Sequence, residues 1–579
     1  MRHNMKLTLL GILLSLLASS ANAAVVRITA DIAASTTWSA ANEYQLVGQI
    51  YVLPGATLTI EAGTLIRSLV ADQGSLAVCR GAKIYVNGTK AAPVIMTSSL
   101  DTLAAWHEGC SEWGNLTIMG KGLISASHYL GAVVGTNTKT PTGLNEKSME
   151  GLTAAFPGDT KVLYGGNDDN DDSGEIHYLS LRYGGKVVGL ANELNGLSLG
   201  AIGRATDIDH VEIMNNVDDG IEIWGGKVNL KYFSIWNAGD DSLDADEGWR
   251  GKAQFGLIVQ GYSTNAAQGS GVGDNCFEID GAEDSDAQPV TTATIYNVTA
   301  IGQPIDGDHG TAWRDNANVQ YRNCIFMDLG EVLVKNDNTD GDGGGGYGYN
   351  GTLSWATRWT TPYTYRSPVN AIVPTPAVGA FNHPDTMYDT QTSGNLCEIT
   401  DSVFYNNLFA SAYIEADARG VRAAANNNVT ATLSPIQAIT RAAAVTKGGK
   451  SMVQVTSLNP CAANDAVTSV AVAPADGFFT PAKFRGAFSA ANNWQAGWTA
   501  AATYGMTDTT MNAADPDGTL KMTASTSFPT VAGVLYTVES STDMKNWSPI
   551  QTVVGDGTTM SVTDLKDFDS AKFYRAIRQ

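Results

Sequence analysis

Residues 207–228 read DIDHVEIMNNVDDGIEIWGGKV, and residues 229–250 read NLKYFSIWNAGDDSLDADEGWR. The two blocks align without a gap. Ile208 falls on Leu230, Val211 on Phe233, Ile213 on Ile235 and Asn215 on Asn237. Asp218 falls on Asp240, Asp219 on Asp241, Ile221 on Leu243 and Glu222 on Asp244. A 22-residue unit with short alternating apolar runs is one coil of a parallel β-solenoid. A single coil cannot bury its inward face, so coils must stack on one another.

The pattern extends in both directions. Upstream, Ile176, Leu179 and Leu181 match Ile208, Val211 and Ile213 at a spacing of 32. Leu194-Asn195-Gly196-Leu197 precedes Asp218-Asp219-Gly220-Ile221 by 24 residues, and Leu257 and Val259 follow Phe233 and Ile235 by 24. Cys324-Ile325-Phe326 and Ser402-Val403-Phe404 read as later coils, and residues 51–66 and 76–89 as opening ones. The fold expected is therefore all-β, a parallel β-helix over residues 24–510, right-handed by the resemblance that the segments below carry. Long inserted loops, such as 134–160 and 336–392, are where function often resides.

Several further segments carry a resemblance. They are Leu163-Tyr164-Gly165-Gly166-Asn167, Asn192-Glu193-Leu194-Asn195-Gly196, Val217 to Glu222, Gly239-Asp240-Asp241-Ser242, Phe484-Arg485-Gly486-Ala487-Phe488 and Asn493-Trp494-Gln495-Ala496-Gly497-Trp498. In these the chain resembles a family of exported right-handed β-helix proteins of environmental bacteria, mostly of unassigned function. The C-terminal part is separate. Residues 511–519 form a polar, turn-rich linker. Residues 520–579 hold short strands at the spacing of a small β-sandwich. Tyr536, Ser540 to Asp543, Trp547 and Phe573-Tyr574-Arg575 resemble a fibronectin-type-III-like module.

Export is also written at the N-terminus. Residues 1–23 combine Arg2 and Lys6, an apolar run and Ala21-Asn22-Ala23, the grammar of a cleaved signal peptide. The expected location is extracellular or cell-surface. Six cysteines in an exported chain permit up to three disulfides, with Cys79–Cys110 and Cys397–Cys461 the first pairings expected. A formal charge of −22 argues against nucleic acid and anionic membrane surfaces as partners. No later stretch is apolar enough for a spanning helix.

Stacked coils stack their acids. Asp218, Asp219 and Glu222 lie over Asp240, Asp241 and Asp244, on strands about 4.8 Å apart. Two like charges about 5 Å apart repel by roughly 3 kcal/mol at an effective dielectric near 20. Ca²⁺, which takes 6–8 oxygen ligands, suits such a cluster. Asn195 before it and Glu278 after it are further members. The competing reading is that these acids fan outward into water, one per corner serving the tight turn. Two loops have independent calcium grammar: Asp169-x-Asp171-x-Ser173-Gly174, and Asn336-x-Asn338-x-Asp340-Gly341. Neither is an EF-hand, since the first has Ser180 at its twelfth position.

Asp240-Asp241-Ser242-Leu243-Asp244 is similar to the calcium-binding acids of certain β-helical pectate lyases. The resemblance implies a Lys or Arg base, for which Lys335, Arg314 and Arg250 are available. Gly239-Asp240-Asp241 with Gly307-Asp308-His309-Gly310 is loosely similar to polygalacturonases, but an aspartate interrupts the second motif. Trp236, Trp249, Trp313, Trp355 and Trp359 could form a sugar platform or be buried. Trp494 and Trp498 are expected to cap the helix end. The leading expectation is glycan or envelope binding without catalysis, with a calcium-dependent lyase or hydrolase on acidic polysaccharide as the alternative.

Overall fold

In a computed structural model, the described residues are 24–125, 145–189, 192–261, 273–282, 289–307, 309–336, 353–364, 388–407, 421, 424–447, 449–511, 522–541, 545, 548–554, 556–566 and 573–578. The expected signal segment 1–23 and most of the expected linker 511–519 lie outside them, as do Asn338 and Asp340.

The chain winds into a parallel β-helix. A 17-stranded sheet and a 9-stranded sheet are both built from parallel neighbours one coil apart. The register reproduces the repeat: Val211 lies beside Phe233 and Ile213 beside Ile235, and Glu222 beside Asp244. The spacings of 32 and of 24 before it also hold, with Leu179 beside Val211 and Leu197 beside Ile221. Inward-facing Leu181, Ile213, Ile235, Ile258, Ala300, Phe326 and Phe404 form one continuous buried stack.

The next downstream spacing is corrected. Phe233 pairs with Gly256 and Ile235 with Ile258, so that coil has 23 residues. A one-residue slip moves side chains to the opposite face. Leu257 and Val259 consequently leave the helix interior for the outer face. Gly256 makes the new register fit, because a Cβ there would stand 2.0 Å from Cζ of Phe233.

The long strands turn at left-handed residues. Tyr178, His210, Tyr232 and Phe255, one coil apart, all have φ between 51° and 59°. Their rings stack with centroids 4.1, 4.5 and 5.0 Å apart. Trp494 and Trp498 meet this stack edge-on. They therefore cover the side of the solenoid rather than its end. They belong to a layer that also contains the antiparallel pair Ile436–Arg441 and Val455–Ala462 and the short helix Ala500–Thr503. This layer packs on the outward column Met214, Trp236, Val259, Ile301 and Met327. Such a large apolar outer face requires a cover. Beneath it, both carboxylate oxygens of Glu212 accept N–H groups at the start of that helix, Ala500 at 2.6 Å and Ala501 at 3.0 Å.

The expectation about disulfides fails. All six cysteines are buried thiols, and neither Cys79–Cys110 nor Cys397–Cys461 forms. Cys397 lies in the main core while Cys79 packs under the covered half of the short sheet. Of the two readings of the five tryptophans, burial holds, with Trp313, Trp355 and Trp359 packing on one another. Among the described residues of 522–578 the strands pair antiparallel. Met522–Pro529 pairs with Thr559–Lys566, and Leu535–Ser541 lies between Ser548–Val554 and Phe573–Arg578.

Candidate functional site: an acidic ladder on the short sheet

The nine short strands place one outward column in register along the solenoid. It reads Tyr51, Ala77, Thr117, Ser198, Glu222, Asp244, Glu278, Ala312, Lys335. Its first rungs are covered. Met149, Leu152, Val162 and Tyr164 of an inserted loop pack on Tyr51, Met119 and Trp224. Glu247 anchors that loop by accepting the Tyr164 hydroxyl at 2.7 Å and pairing with Lys147. The cover reaches Trp224, on the strand that carries the first acid of the column, Glu222.

Beside the column, the turns entering the strands carry a second ladder. Asn195 Oδ1 accepts the Asp219 N–H at 3.2 Å, Asp219 Oδ1 the Asp241 N–H at 2.8 Å, and Asp241 Oδ1 the Asn275 N–H at 2.6 Å. Asn275 Oδ1 lies 2.7 Å from His309 Nδ1. Each side chain thus closes the turn of the next coil. The second aspartate of each Asp-Asp pair is a turn-former, which leaves its other oxygen and the first aspartate for other work.

Three groups of carboxylates converge, each with ligand oxygens within 4.8 Å of one another: Asp219, Glu222 and Asp244; Asp218, Asp219 and Asp240; Asp240, Asp241 and Asp274. All six acids named from the repeat are therefore brought together. Asp274 was missed because an insertion stretches its spacing from Asp240 to 34 residues. Its signal was legible: Asp274-Asn275 precedes Cys276-Phe277 as Asp240-Asp241 precedes Ser242-Leu243.

The acids are not solvated fans. Asp218, Asp219, Glu222 and Asp241 are buried and Asp244 is half-buried. Burial first, and neighbouring carboxylates second, push Asp218 up to about 8. The same causes hold Asp219, Glu222, Asp241 and Asp244 well above the usual carboxylate range. Asp244 Oδ1 is sealed from solvent and has no hydrogen-bond partner. The oxygen-only donor set fits a hard cation such as Ca²⁺ or Mg²⁺ rather than zinc.

The three basic candidates separate. Arg314 stands at the edge of the acids, with Nη1 2.5 Å from Glu278 and Nε 3.6 Å from Asp280. Its side chain is 43% exposed. Lys335 is exposed on the same column, two rungs or about 10 Å beyond Glu278. Arg250 is buried elsewhere, in a bidentate pair with Asp169 at 2.6 and 2.9 Å. That pair also corrects the first calcium-loop reading. Asp169 is taken up by Arg250, and Asp171 accepts the Ser173 hydroxyl at 2.8 Å. Asp169 and Asp171 belong to none of the convergent acidic groups among the described residues. Asn336 is in register with Trp313 rather than with the acids.

The model of the pectate-lyase-like beta helix domain family matches residues 30–351, more than half of the chain, and the chain belongs to this family. No curated protein and no solved structure gives a significant match.

Proposed function

We propose that the chain is an exported, calcium-stabilised β-helix protein that binds glycan or other envelope components without catalysis. The observation that carries this reading is the convergence of Asp219, Glu222 and Asp244 within 4.8 Å, largely buried and without a basic partner in the group. A divalent cation would neutralise them, fix the turns of successive coils, and leave coordination positions toward the half-buried side of Asp244 and Glu278. Arg314 and Lys335 continue the same face, so an acidic polysaccharide would meet a cation and then two basic side chains.

A second reading is a calcium-dependent lyase or hydrolase acting on acidic polysaccharide. Arg314 favours it, since it is the one basic candidate in contact with the acid ladder. A bound cation would acidify the proton α to a uronate carboxylate, and a basic group would remove it.

The test is size-exclusion chromatography of the full chain with a panel of acidic and neutral polysaccharides, in Ca²⁺ and in chelator. Calcium-dependent co-elution without shrinkage of the polysaccharide is the expected result. Shrinkage, with ultraviolet absorbance from an unsaturated product, moves the conclusion to the lyase. Neither effect across the panel overturns both and leaves an architectural protein.

A further inference from the structure

The three carboxylate groups are not separate. Asp219 belongs to the first and second, and Asp240 to the second and third. Together they hold seven different carboxylates on three successive turns. Asp218, Asp219, Glu222, Asp241 and Asp244 have no ion pair with Lys or Arg among the described residues, and Arg314 is engaged with Glu278. With all seven ionised, one divalent cation would neutralise two charges and leave the rest stacked a rung apart, where each like-charged contact costs roughly 3 kcal/mol. A single ion therefore does not answer the cluster.

An independent feature marks the outer group. Gln260 is 2% exposed, at the end of the strand Lys252–Val259. Its Nε2 donates to the main-chain oxygen of Asp274. Its Oε1 is sealed from solvent and has no hydrogen-bond partner. A buried amide oxygen without a donor is costly unless something satisfies it. A hard cation beside Asp274 would do so, since amide oxygens are ordinary ligands for Ca²⁺. Asp244 Oδ1 is in the same condition in the inner group.

We propose that the acidic turns form one polynuclear site that takes at least two divalent cations, with Asp219 and Asp240 as shared ligands and Gln260 as a neutral ligand of the outer ion. This rests on the calcium reading above and deepens it. The shared carboxylates couple the ions, so loss of one weakens its neighbour.

The test is calorimetric titration of the chelator-stripped full chain with Ca²⁺ alone. Two or more ions per chain is the expected result. One ion overturns the polynuclear site while the calcium reading stands, and none overturns both. Asp274→Asn and Gln260→Leu should each weaken the outer ion about tenfold or more and the inner ion by a smaller factor. Unchanged stoichiometry and affinity in both variants would overturn the assignment. Mixed loading of the unaltered chain with Tb³⁺ and Eu³⁺ gives a readout that no folding defect can mimic. Energy transfer between the two lanthanides is expected, and its absence in the doubly loaded protein refutes adjacent sites.

Discussion

Glu222→Gln acts in opposite directions on the metal-free and the metal-loaded protein. Glu222 is 6% exposed, stacked in register with Asp244 and grouped with Asp219. At 4.8 Å and an effective dielectric near 20, each of these two repulsions is about 3 kcal/mol when both groups are ionised. Proton uptake by the cluster relieves part of that strain, so the substitution should stabilise the metal-free chain by about 3 kcal/mol. In a domain of this size that is a rise in Tm of about 3 °C. Gln keeps an oxygen to accept the Asn195 amide that now donates to Glu222. Without metal, therefore, nothing is lost. With Ca²⁺ at about 100 times its Kd, the original chain should gain about 2.7 kcal/mol by mass action, and the variant far less. Differential scanning calorimetry at pH 8, with chelator and with Ca²⁺, reads both effects. Equal melting of the two proteins in chelator, together with equal shifts in Ca²⁺, would refute the reasoning. The acids would then be solvated and the site would hold no cation.

Three other perturbations test the scaffold. Gly256→Ala places a methyl group against the Phe233 ring inside the stack and should cost about 2–3 kcal/mol, read as a lower Tm at unchanged Ca²⁺ affinity. Arg250→Ala strips Asp169 of its buried bidentate partner and should destabilise by about 3–5 kcal/mol; retention of full Tm would show that the pair is not structural. His177 is raised to about 9, chiefly by its hydrogen bond to Asp209, with Asp207 and Glu175 adding to it. Because the folded value lies above the unfolded one, its contribution is complete below about pH 6.5 and is lost as pH rises through 9. Allowing for partial exposure, His177→Gln should remove about 1–2 kcal/mol at pH 6 and almost nothing at pH 10, by denaturant melts at the two pH values.

The repeat at 207–250 was legible because a parallel stack has a fixed residue count per coil, and gapless spacing transmits register directly. Asp218 over Asp240 and Glu222 over Asp244 followed from that alone. Legibility failed where the count changed downstream of the repeat. The 23-residue coil shifted Leu257 and Val259 to the outer face, since one residue reverses a strand's two sides. An insertion hid Asp274. The calcium grammar of Asp169-x-Asp171-x-Ser173 misled for a different reason: a local pattern says which oxygens are available, not which cation claims them. Here the claimant is Arg250, 81 residues away.

The sequence by itself determined the coil, its pitch in residues, the parallel stacking and the column of acids, because all of these are consequences of periodicity. Only the tertiary structure decided which face each acid occupies, how deeply it is buried, and what stands next to it. Those depend on loops of irregular length. The insertion carrying Met149 and Tyr164 covers the first rungs, and the layer carrying Trp494 and Trp498 covers a side the sequence had assigned to an end. Arg314 reaches the ladder while Arg250 is drawn away, a distinction set by packing between coils distant in the chain, where no spacing rule applies.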